Sequence, residues 1–82
     1  DAWLEVESRR EAAKAARSEQ AAAKKAADVA RSLYLANKAT QVDVIVAERD
    51  LLQAEVNRTQ ADASLELARA NLRLASGMEH RR

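Results

Sequence analysis

The chain contains no cysteine, no proline and no phenylalanine, with one glycine (Gly77), one tryptophan (Trp3) and one tyrosine (Tyr34). Without cysteine there is no disulfide framework, and the redox compartment stays open. The single histidine, His80, has no cysteine to join it, which excludes a structural zinc site. His80 reads as part of a solvated basic terminus. A nucleophile-plus-base set would need a histidine within the fold, and no glycine-rich loop offers a phosphate cradle. Glu48, Asp50 and Glu55 lie near one another, but acids on a helix without a cleft are an ordinary solvated face. The expectation is therefore no enzyme, no cofactor and no metal. Charge of one sign is also missing. Lys and Arg total 14 against 13 Asp and Glu, interleaved, which leaves no basic stripe for nucleic acid. No apolar run approaches membrane-spanning length, and no signal peptide is visible. The chain starts at Asp1 without an initiator methionine and reads as processed or excised from something longer.

What is present favours helix. Ala, Glu, Lys, Arg, Leu and Gln dominate 82 residues, enough for one small domain. Hydrophobic residues make up 48%, but 20 of them are alanine, so little apolar area is available at roughly 25 cal/mol per Å². A lone pair of helices with so thin a core is marginal, and completion of the packing by other copies or segments is expected.

Helix is expected over residues 2–36 and again over 41–76. In the first, Asp1, Glu5, Glu7 and Glu11 crowd the start while Lys24, Lys25 and Arg31 come later, an order that suits the macrodipole. Ala12, Ala15, Ala22, Ala26, Val29, Leu33 and Ala36 recur in 3- and 4-residue steps. A second set, Ala13, Ala16, Ala23, Ala27 and Ala30, lies beside them, so this helix can touch a neighbour on each side. In the second helix, Ala47, Ala54, Ala61, Ala68 and Ala75 recur every seven residues, interleaved with Val44, Leu51, Leu65 and Leu72. That is a coiled-coil seam, and strict heptads imply left-handed supercoiling. Arg58 interrupts it, either as a specificity device or buried ion-pair partner or, as favoured here, with its stem packed and its head in water. Val42, Val56, Ala63 and Ala70 form a second stripe.

Between the helices, Asn37 suits a left-handed helix end, Lys38 and Ala39 fill the turn, and Thr40 stands three residues before Asp43 in a capping-box spacing. Gly77 reads as a glycine cap that closes the second helix, leaving 78–82 as a frayed tail. The expected architecture is all-α: an antiparallel two-helix coiled-coil hairpin over 1–77 with its tip at 37–40 and a length of roughly 50 Å. Trp3 is placed to anchor the open end, and Tyr34 to pack beside the turn or to present its hydroxyl.

The run Tyr34-x-x-Asn37-x-x-Thr40-x-Val42-Asp43-Val44-Ile45-x-Ala47, then Leu51-Leu52-x-Ala54-Glu55, then Leu74-Ala75-Ser76-Gly77, resembles the TolC-like outer-membrane efflux ducts. The likeness covers about 45 residues, and the first helix shares only its alanine-rich, charged character. It implies a fragment of a larger α-helical barrel, the periplasmic portion of a Gram-negative outer-membrane protein. The parent would be a homotrimer serving multidrug or metal export. It implies that Tyr34, Asn37, Lys38, Thr40, Val42, Asp43 and Val44 meet the hairpin of a periplasmic adaptor, while other hairpins of the duct flank the rod. Asn37 stands where the family has glycine. Val46 stands where some members carry a second acid, which leaves a gating role there unsupported. Two alternatives stay open. One is the coiled-coil hairpin of the adaptor itself, for which Arg31 and Leu35 are suitably placed but the serine position is not. The other is a generic or designed hairpin.

Overall fold

The computed structural model describes residues 1–80, with side chains described as far as Gly77. Two helices account for nearly all of it: α1 (Ala2–Leu35) and α2 (Gln41–His80). They run antiparallel along a rod of 69 × 14 × 13 Å.

α1 begins where Asp1 caps it, its carboxylate accepting from Trp3 N–H at 3.0 Å. Its far end is a Schellman turn. Asn37 adopts φ 61°, Lys38 N–H donates to the Leu33 carbonyl at 2.8 Å, and Asn37 N–H donates to that of Tyr34 at 3.0 Å. Asparagine supports the left-handed conformation better than a β-branched or bulky side chain would. α2 then starts on a reciprocal capping box. Thr40 N–H donates to Asp43 Oδ2 at 2.9 Å, and Asp43 N–H donates to Thr40 Oγ1 at 3.2 Å. Two helix ends are thus satisfied within a short connection, which leaves the arms no option but to lie side by side.

The expected end of α2 is corrected. The helix passes Gly77 and continues to His80, and no glycine has positive φ. A glycine stops a helix only by adopting the left-handed conformation, and here its backbone stays helical. Residues 78–80 are therefore helix rather than the start of a tail, while 81–82 and the His80 side chain lie outside the described residues. A helix of 40 residues is about 60 Å long, which is why the rod exceeds the length drawn from its shorter expected arms.

The buried strip between the arms is narrow. Val6, Ala13, Leu65 and Ala68 form its main cluster, with Ala61 and Leu72 packed against it. Ala16, Ala27 and Ala54 are buried further along the rod. Of the two alanine sets on α1, the one that faces α2 is therefore Ala13, Ala16, Ala23, Ala27 and Ala30. Ala12, Ala15, Ala22, Ala26, Val29, Leu33 and Ala36 face outward. On α2, Ala54, Leu65 and Ala68 are buried and Val44, Ala47, Leu51, Ala61 and Leu72 are half-buried, whereas Ala75 is exposed.

Candidate interaction surfaces at the tip and along the rod

The turn places its residues in two groups. Asn37, Thr40 and Asp43 are exposed, yet the backbone N–H of Asn37 and both the backbone N–H and the side-chain oxygens of Thr40 and Asp43 are engaged in the caps. Lys38 projects beside them and is exposed. Val42 is 64% exposed and Tyr34 42%. Val44, by contrast, is half-buried on the seam side, so the structure separates it from the outward-facing tip residues.

Around these lie apolar side chains that the tip reading did not include. Leu35 is 80% exposed, the highest value for any large hydrophobic side chain among the described residues. Leu33, Ile45 and Val46 are exposed as well. On α2 the sequence carried a signal, since Ile45 and Val46 lie off the Ala–Leu seam; on α1, Leu33 belongs to an apolar row, and its outward position shows only once the buried face is known. Patches of this kind on a small protein mark contact surfaces, because water-exposed apolar side chains gain most when covered.

The exposed apolar surface continues down the rod. On α2 it runs through Val42, Ile45, Leu52, Val56, Leu67 and Leu74, opposite the seam. Leu52 and Val56 line a shallow apolar groove with Glu55, Thr59 and Gln60. The stripe of Val42, Val56, Ala63 and Ala70 is exposed throughout. On α1 the unused alanine set forms the counterpart, broadening to Val29 and Leu33 as it nears the tip. At the open end Trp3 and Leu4 are exposed.

Polar contacts between the arms are few and sit at the edges of the seam. Arg17 pairs with Asp62 at 3.2 Å and Arg31 with Glu48 at 3.0 Å. Arg58 Nη1 donates to Gln20 Oε1 at 2.7 Å, and Arg58 Nε lies 3.5 Å from Asp62 Oδ2. The seam arginine therefore keeps its head at the edge of the rod, where it meets Gln20 of α1. Gln20 and Asp62 are partners that periodicity alone did not single out. All of these side chains are partly open to water, so each pair contributes little to stability.

Among the described residues no cluster of His, Asp or Glu could hold a metal ion, and no helix is long and apolar enough to cross a membrane. Glu48, Asp50 and Glu55 are exposed on α2, with Glu48 engaged by Arg31. No family model matches the chain, and no curated protein or solved structure matches it either.

Proposed function

We propose that this hairpin is a structural and interaction element of a tripartite efflux system: a periplasmic helical hairpin of an outer-membrane duct, whose tip docks the hairpin of a periplasmic adaptor. The observation that carries the reading is the apolar surface left uncovered on both helices, which widens into larger side chains around the turn. A hairpin that ended its business at its own seam would place polar residues there. The sequence likeness of the turn and of α2 to the TolC-like ducts supplies the identity of the partner. In that setting the outward stripes of α1 and α2 meet neighbouring hairpins of a trimeric parent. The tip residues Tyr34, Lys38 and Val42, joined by Leu35, meet the adaptor. Asn37, Thr40 and Asp43 shape the turn, and no catalysis is involved.

The adaptor hairpin remains the second reading, favoured by the exposure of Leu35 at the turn. Against it, Arg31 is committed to Glu48 and Asp28 rather than free for an outside partner.

Binding of the chain to a panel of purified periplasmic adaptor proteins, followed by calorimetry, tests the proposal. Val42→Glu and Leu35→Glu leave every cap intact, so helicity should persist while affinity falls by roughly tenfold or more, the effect of burying an unpaired charge. Equal binding by both variants, or binding of the native chain to duct hairpins but to no adaptor tip, would remove tip docking from the account.

A further inference from the structure

The outer face of α2 carries a second apolar stripe with a period of its own. Ile45, Val56 and Leu67 stand eleven residues apart, as do Leu52, Ala63 and Leu74, and all six are exposed. Eleven residues in three turns is about 3.67 per turn, so the stripe leaves the left-handed path of the heptad seam and runs nearly straight along the helix. It is also self-complementary. Ile45 with Leu74, Leu52 with Leu67 and Val56 with Ala63 are each centred on the same point, between Thr59 and Gln60. A two-fold contact requires that arrangement, because each residue of the patch must meet its counterpart on the other copy. Turning a second α2 end for end about that centre therefore sets Ile45 on Leu74, Leu52 on Leu67 and Val56 on Ala63, twice over.

Charge chooses the direction. Arg49 is the one charged residue at the centre of the stripe, and among the described residues it has no ion-pair partner. Parallel pairing in register would set Arg49 against its own copy. End-for-end pairing sets it against Ala70, with Glu66 of the other copy one turn away. Glu66 is exposed on the margin of the stripe, where its own helix offers it Arg69. We propose that the hairpin forms a two-fold dimer through this stripe, α2 antiparallel on α2, with Arg49 of each copy paired to Glu66 of the other. The contact over residues 45–74 is about 45 Å long. At a helix width of about 10 Å it removes roughly 1,000 Å² from water over both copies, the lower bound of a specific interface, so the dimer is reversible. The α1 arms lie on the outside and the two turns point away from each other, which leaves Tyr34, Leu35 and Lys38 open. The pairing stands apart from the efflux reading, since it concerns the chain alone.

Sedimentation equilibrium of the native chain over about 1 μM to 1 mM should show one reversible step, from one chain to two. Arg49→Glu should weaken association by roughly tenfold with helicity unchanged, because symmetry turns the attraction to Glu66 into repulsion twice. Adding Glu66→Arg should restore most of that loss. The chain has no native cysteine, so direction can be read by disulfide capture. When Val56→Cys and Ala63→Cys chains are mixed and oxidised, the crosslink should join one variant to the other in preference to either variant to itself. A chain that stays single throughout the range overturns the proposal, as does association that grows past two copies. So does self-crosslinking of each variant in place of the mixed product, or an Arg49→Glu loss that Glu66→Arg fails to restore.

Discussion

The turn and the rod of this hairpin are built on opposite principles. At the turn, residues 33–43 satisfy two helix ends through a Schellman bond pair, a left-handed asparagine and a reciprocal Thr–Asp box. Each is short-range, directional and specific to a side chain. Along the rod, α1 carries alanine on two faces, one buried against α2 and the other exposed, and partly exposed polar pairs line the edges of the buried one. The difference teaches that a short loop can determine that two helices pack antiparallel without determining how each is rotated about its axis. Hydrogen bonds at caps have one satisfied geometry, whereas alanine against alanine is nearly the same contact in several geometries.

Leu65→Ala is the sharpest way to break the rod. Leu65 is 4% exposed and is the largest side chain in the main buried cluster, so truncation should cost about 2 kcal/mol or more and remove the cooperative thermal transition measured by circular dichroism. A transition left intact would show that the seam is not where the stability resides. At the turn, Thr40→Ala should cost about 1 kcal/mol, read as a lower melting temperature, because Asp43 N–H loses the Thr40 hydroxyl as acceptor while the bond from Thr40 N–H to the Asp43 carboxylate remains. Asn37→Val tests the left-handed position. A β-branched side chain there should cost about 1–2 kcal/mol, and Asn37→Gly should not destabilise at all. If Asn37→Val melts at the native temperature, the turn is less determined by local geometry than its bonds indicate.

Smaller effects sharpen the contrast. Gly77→Ala should stabilise α2 by about 0.5 kcal/mol, since the backbone there is helical and an added methyl meets nothing within 4 Å. Arg17→Gln should change stability by at most about 0.5 kcal/mol, and raising the salt concentration should erase the difference, since the Arg17–Asp62 pair is screened by water and ions. A salt-resistant loss would mean that Arg17 acts through its packed stem instead.

Much of the fold follows from residues within a few positions of one another. The two helices, their antiparallel return, the left-handed asparagine and the Thr40–Asp43 box are written in local spacing, because capping and propensity act over three or four residues. The Leu and Ala alternation in the second helix is legible for a similar reason: its large and small residues differ enough to mark one face. Less was legible at the tip. Leu35 and Val46 look like any apolar helix residue until the seam is located, and only then does their outward position identify them as contact candidates. The end of α2 misled for a different cause. Glycine permits a stop without requiring one, and the backbone at Gly77 keeps the helical choice.

By itself, then, the amino-acid order determined a helical hairpin with a defined turn and one marked face on its second arm. Only the tertiary structure decided which alanine face of the first arm lies inside, that Gln20 meets Arg58, and that Val44 turns inward while Val42 and Leu35 face out. The physical reason is that alanine recurs on two faces of α1, so spacing alone does not say which is covered; that depends on contacts such as Val6 with Leu65 and Arg17 with Asp62, whose members lie far apart in sequence and meet only when the arms are folded together.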